Sequence, residues 1–153
     1  MVGAAVGMVA AVTTFTIPGP PIPKERPRLN RKTGTWYTPQ KTQNAERHIA
    51  ECAMVAGVRM EPKQHYALTI DFYLSALPKD LDNLIKLVLD GLVGMGDGWD
   101  DKYVCSLVTR KIMVPEASQE RTVVTVEYDG PRYADELDDA RAFLGDAVGG
   151  GDG

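Results

Sequence analysis

Residues 66–101 change hydrophobic period within a few positions, and few folds accommodate the change. Tyr66–Leu74 sets Leu68, Ile70, Phe72 and Leu74 on one side and Thr69, Asp71 and Tyr73 on the other, the two-residue repeat of a half-buried strand. From Asn83 to Val93 the repeat is helical, with Leu84, Leu87, Val88, Leu89 and Leu92 on one side, and the glycine cluster from Gly94 to Gly98 stops it. Asp80 and Asp82 stand where strand gives way to helix, Lys86 follows one turn later, and Asp100 and Asp101 come after the glycines.

Residues two apart in an extended segment point the same way, so Asp80 and Asp82 can present both carboxylates to one side. Carboxylates so clustered raise one another's pKa unless a cation sits among them. Hard oxygen ligands suit Mg²⁺, which is held by one or two carboxylates plus waters and substrate phosphate oxygens. Such an ion acts as a Lewis acid and activates water, so phosphodiester hydrolysis is the reaction class implied. The plainer alternative makes Asp82 an N-cap and Asp80 a loop residue. A haloacid-dehalogenase-type phosphatase would need an apolar strand directly before the pair and Thr or Val soon after; Pro78-Lys79 precedes and Asn83 follows. Asp90, about 80° around the helix from Asp82, reads as a surface or capping-network residue rather than a ligand.

The flanking chain reads as follows. Residues 11–17 alternate and are β-branched, a strand that the prolines from Pro18 to Pro27 bring to an end. Two short extended pieces around Gly34 form a hairpin, with Trp36 and Tyr37 on its return; basic groups interleaved with these aromatics would suit a nucleic-acid surface, but at least one of the two is expected to anchor the hairpin to the core. A helix should start at Thr38 or Thr42 as N-cap, with Pro39 in its first turn, and run to Ala56 before Gly57; its apolar face is Ala45, Ile49, Cys52, Ala53 and Ala56. Strands are expected over 103–113 and 122–128. His48 and His65 have no partners at metal-ligand spacing, and Cys52 and Cys105, 53 positions apart, suit a reducing cytoplasm. The element string lacks regular β-α alternation and predicts an α+β fold, one domain with two helices packed on a mostly antiparallel mixed sheet.

Net charge is -4, but the balance is uneven: 16 Lys/Arg against 15 Asp/Glu up to Arg132, and one Arg against six acids from Tyr133 onward. Residues 20–47 hold seven basic side chains against Glu25 and Glu46. A local strip of this kind can bind a phosphate backbone whatever the whole-chain charge, and Lys24, Arg26, Arg28, Arg31, Lys32 and Lys41 are its candidate DNA-binding residues. A solvated charged hairpin is the alternative. Residues 1–12 are an apolar leader, too short to span a membrane; 13–130 form the domain; 131–153 form an acidic, Gly-rich tail with one possible short helix over 134–144.

Together, Asp80-Leu81-Asp82-Asn83-Leu84-x-Lys86, Leu89-Asp90-Gly91-Leu92 and Trp99-Asp100-Asp101 resemble the RusA family of Holliday-junction resolvases, found in phages and prophages. Pro23-Lys24-x-Arg26-Pro27-Arg28 and Tyr37-Thr38-Pro39-x-Lys41-Thr42 extend the resemblance, which spans roughly 15–128. It implies a cytoplasmic, homodimeric, Mg²⁺-dependent endonuclease, with Mn²⁺ able to substitute, that nicks four-way DNA junctions in recombination and repair. By the same resemblance Asp80, Asp82 and Asp101 bind metal, with Asp100 the alternative to Asp101, and Lys86 is the catalytic lysine. Lys102-Tyr103 after the aspartate pair departs from the family pattern and leaves the choice between the two open. A junction with two-fold symmetry is cut at two equivalent points, which a closed dimer would match. Two other functions share these features: a metal-dependent nuclease for flaps or forks, and a protein that binds branched DNA without cutting it.

Overall fold

The computed structural model describes residues 12–76 and 78–129. The leader up to residue 11, the acidic tail and its expected helix lie outside the described residues. The elements are β1 (Val12–Pro18), β2 (Arg28–Asn30), β3 (Thr35–Tyr37), α1 (Gln40–Val55), β4 (Tyr66–Leu74), α2 (Leu81–Val93), β5 (Val104–Met113) and β6 (Arg121–Tyr128). Four strands form one sheet in the order β1-β6-β4-β5, and β2 pairs with β3 in a separate hairpin. β6 runs antiparallel to both neighbours, whereas β5 is parallel to β4. A parallel pair needs a crossover connection, and α2 supplies it. The α+β architecture, two helices and a mixed, mostly antiparallel sheet, is the one the sequence predicts.

Alternation decides which sheet face is buried. Leu68, Ile70, Phe72 and Leu74 of β4, Phe15 and Ile17 of β1, and Val124 and Val126 of β6 share a core with Ile49, Ala53, Leu84, Leu87, Val88 and Leu92 of the helices. The opposite face mixes Val108, Ile112 and Val123 with polar side chains: Arg110 grips Asp71 through two bonds of 2.9 and 3.0 Å, and the Arg121 guanidinium lies 3.9 Å over the Tyr73 ring.

Both helix starts differ from expectation. α1 begins at Gln40 with Pro39 in the N-cap position and no side-chain cap. Thr42 is fully buried with no partner for its Oγ1, so neither threonine caps the helix. α2 begins at Leu81, two residues earlier than its apolar pattern, which puts Asp80 in the N-cap position and Asp82 in the first turn.

The helices approach closely at Gly91. A Cβ there would lie 2.6 Å from Ile49 Cγ2, 2.7 Å from Ile49 Cβ and 3.1 Å from the Glu46 carbonyl oxygen. Ile49 is β-branched and stiff at χ1, so it cannot swing away and the helices would have to part. Alanine improves helix propensity by about 0.5–1 kcal/mol, but overpacking costs about 1–3 kcal/mol. Gly91→Ala is therefore expected to lower stability by about 1–2 kcal/mol; an unchanged or raised urea midpoint would refute the close approach.

Candidate active site

The loop from β4 to α2 is pinned at both ends. The Ser75 amide and hydroxyl both donate to Glu120 Oε1, at 2.9 and 2.5 Å, and these bonds hold the Glu120 carboxyl below the ordinary glutamate range. Lys79 Nζ donates to the Pro21 carbonyl at 2.5 Å, tying the loop to the proline-rich strap that leaves β1. The chain then turns into α2 with Asp80 at φ -70°, ψ 130° and its carbonyl accepting from the Leu84 amide at 3.1 Å. Asp80 occupies the cap position, yet its carboxylate makes no capping bond. Asp82 Oδ1 accepts only from its neighbour, the Asn83 amide, at 2.9 Å. Both aspartates are exposed and neither makes an ion pair among the described residues. Capping thus explains where Asp80 stands and leaves both carboxylates open at a helix N-terminus, where the peptide dipoles favour negative charge.

The second acidic pair is set by an anchored turn. Trp99 is buried, donates its indole N–H to the Gln64 carbonyl at 3.2 Å and meets Tyr66 edge-on. Asp97 accepts from the Met60 amide at 3.2 Å, and Gly96 and Gly98 take φ of +81° and +79°, where a side chain would strain the backbone. Asp100 and Asp101 then divide. Asp100 caps the short 3₁₀ turn Asp101–Tyr103, and the Lys102 amide holds its carboxyl below the ordinary aspartate range. Asp101 instead turns to Lys86, whose Nζ donates to its Oδ2 at 3.0 Å.

Lys86 is one rung of a longer ladder of alternating charge. Its ammonium also lies 3.0 Å from Asp90 Oδ1; the other Asp90 oxygen takes Lys24 Nζ, which reaches Glu46 of α1 at 3.1 Å. Glu46, Lys24, Asp90, Lys86 and Asp101 thereby join α1, the strap, α2 and the turn after the glycines. The Lys24 amide also donates to the Asn83 carbonyl at 3.0 Å, docking the strap on the first turn of α2. Asp101 and then Asp90 raise Lys86 above the ordinary lysine value. Partial burial pulls Lys24 down, but Asp90 and Glu46 outweigh it and its pKa is raised too. Both side chains hold their protons.

Asp90 is therefore the central acid of the ladder, a role that a helical wheel measured from Asp82 does not reveal. Its i,i+4 spacing from Lys86 was the visible sign. Lys24 lies within the basic strip by sequence, yet its ammonium faces Glu46 and Asp90. Of the other strip residues, Arg28 pairs with Glu25 at 3.0 Å. Arg26, Arg31, Lys32 and Lys41 are exposed and make no ion pair among the described residues. Trp36 and Tyr37, one of which was expected to anchor the hairpin, are both exposed, at 69% and 46%.

No three carboxylate, histidine or cysteine side chains converge on a metal position among the described residues. The open Asp80 and Asp82 nonetheless fit a cation that asks for only one or two protein carboxylates and fills its shell with water and phosphate oxygen. His48 lies 3.4 Å from the Pro18 carbonyl and His65 packs edge-on against Tyr103. Burial pushes the Cys52 thiol up, away from reactivity. No helix among the described residues is long and apolar enough to cross a membrane. No curated protein matches the chain. The family model described as endodeoxyribonuclease RusA matches residues 18–127. That span holds both acidic pairs, the whole ladder and the basic strip, and the chain belongs to the RusA family of endodeoxyribonucleases, divalent-metal-dependent enzymes that resolve Holliday junctions.

Proposed function

We propose that the protein resolves four-way DNA junctions by paired, symmetric nicks, acting as a Mg²⁺-dependent homodimer in the cytoplasm of a bacterial or phage-infected cell. The observation that carries this is the pair of open carboxylates, Asp80 and Asp82, at the N-terminus of the helix whose next turn presents Lys86 bound to Asp101. Asp80 and Asp82 would hold the metal, with Mn²⁺ an acceptable substitute; Asp101 would become the third carboxylate by turning toward them from Lys86, and Asp100, committed to its turn, is the weaker candidate. When bound, the ion would polarise the scissile phosphate and lower the pKa of a water. Lys86, kept cationic by its two acids, would lie against a phosphate oxygen and stabilise the charge that builds there. The exposed Arg26, Arg28, Arg31, Lys32 and Lys41 would follow the arms of the junction, placing the backbone rather than reading sequence. A C₂ pair of such subunits would cut strands of like polarity at equivalent positions.

The test is cleavage of an end-labelled synthetic four-way junction, with flap, fork and linear duplex in parallel. Symmetric nicks that need Mg²⁺ and vanish with chelator are expected. Preference for flaps or forks would keep the chemistry and discard the substrate, and tight binding without metal-dependent cleavage would leave only a branched-DNA binder.

A further inference from the structure

The hairpin of β2 and β3 stands apart from the sheet and holds its apolar side chains in solvent. The antiparallel register sets Leu29 directly opposite Trp36 and Arg28 opposite Tyr37. Residues directly opposite one another share a face, so Leu29 and Trp36, exposed at 45% and 69%, form one small apolar plate. The loop closes by the Gly34 amide donating to the Asn30 carbonyl at 2.8 Å, with Gly34 at φ +70°. Arg31 and Lys32 lie in the loop so closed, and neither makes an ion pair among the described residues. Trp99, by contrast, is buried at 2% exposure and hydrogen-bonded. One tryptophan holds the structure together and the other is left free.

An exposed indole flanked by unpaired cations is costly to keep in water and matches one class of ligand well: a nucleobase out of its stack, with its phosphates alongside. Bases stack on aromatic rings whatever their sequence, and Arg and Lys follow the backbone. A linear duplex exposes an unstacked base face only at its ends, whereas the pairs that flank the crossover of an unfolded four-way junction each lose a stacking neighbour on one side. We propose that Trp36, with Leu29 opposite it and Arg31 and Lys32 in the loop that follows, is a stacking site for a base face left unstacked at the crossover of branched DNA. It would favour branched substrates over duplex by a contact the cutting residues do not make. The site deepens the function proposed above and rests on it.

The test uses the full chain with Ca²⁺ or chelator to block cutting, and compares wild type, Trp36→Ala and Trp36→Phe on a four-way junction and on duplex. Trp36→Ala should weaken junction binding about 10- to 100-fold, a loss about tenfold larger than on duplex, and Trp36→Phe should recover most of it. Tryptophan emission should be quenched by junction in wild type and unchanged by it in Trp36→Ala, where Trp99 alone reports. Equal losses on junction and duplex, or no loss at all, would overturn the stacking site. So would a sedimentation shift to a smaller species in Trp36→Ala, which would assign the plate to a second copy of the chain. Wild-type cleavage with Mg²⁺, run alongside, separates the two failures: a wild type that cuts junctions with an indifferent Trp36 sinks only the stacking site, and a wild type that neither binds nor cuts them sinks the proposed function as well.

Discussion

Asp82→Asn is expected to give a protein that grips four-way junctions and cannot cut them. The change keeps the shape of an exposed side chain and still offers an oxygen to the Asn83 amide, so the fold should lose no more than the helix-dipole contribution of about 0.3–1 kcal/mol. What disappears is a charge. An amide is a poor ligand for a hard divalent cation, and the stabilisation such an ion provides amounts to several kcal/mol. Each 1.36 kcal/mol is tenfold in rate, so cleavage under single-turnover conditions should fall by about 10³-fold or more. Junction affinity should stay level or rise, because a negative group facing the phosphates has gone. Near-wild-type cutting by a folded Asp82→Asn protein would move the metal site elsewhere in the chain.

The second large effect is expected at Asp90, which touches neither open carboxylate. Asp90→Leu leaves the ammoniums of Lys24 and Lys86 facing one another across a space that is only partly wet, with Lys24 at 24% side-chain exposure. Losing one partner of a partly buried pair costs about 1–3 kcal/mol. Lys86 would retain Asp101 alone and swing more widely, and cleavage should fall by about 10- to 100-fold by analogy with the cost of small misplacements. The double variant Lys24→Met/Asp90→Leu separates the two consequences, since an apolar replacement of both partners is often neutral. Stability should return in part, measured by urea unfolding, because Glu46 is then left without Lys24, while cleavage should not return. If Asp90→Leu melted and cut like wild type, the ladder would be decoration.

The parts of the fold most legible in the sequence were those whose information is local. Tyr66–Leu74 announces a strand because neighbouring side chains report the same burial, and residues 83–93 announce a helix for the same reason. The hairpin was readable from Gly34 and the short extended pieces on either side. The helix starts were not, because capping propensity is a weak local preference that packing overrides: Thr42 was drawn inside, and Pro39 took its place. Trp36 and Tyr37 misled for a related reason: a large ring is ordinarily buried, and that expectation outweighed the basic neighbours that suited an exposed face.

The candidate site divides along the same line. Asp80, Asp82 and Lys86 lie within seven residues, so spacing brings them together as candidates, while the roles given to them came from the family resemblance. Asp101 needed the glycine turn to return to the helix, a geometry that family resemblance suggested and Trp99 explains. The Lys24–Asp90 bond joins residues 66 positions apart, and the Lys24–Glu46 bond spans 22. No periodicity carries such pairings. They exist because Gly91 lets α1 and α2 come close enough for Glu46 to reach the strap.

The strand order has a consequence for how the molecule comes into being. Among the described residues β1 is hydrogen-bonded in the sheet through β6 alone, from Val12 opposite Glu127 to Pro18 opposite Arg121. The earliest strand off the ribosome therefore waits for the latest, and at about 5–20 residues per second that delay is on the order of ten seconds. The strap that carries Lys24 hangs from β1, so the end that leaves the sheet is tied down only after β6 has slotted between β1 and β4, while its bonds to Asn83 and Lys79 do not involve β6. A nascent chain can assemble the β4-α2-β5 unit early, with every residue of the ladder already made, and only the anchorage of β1 in the sheet comes last.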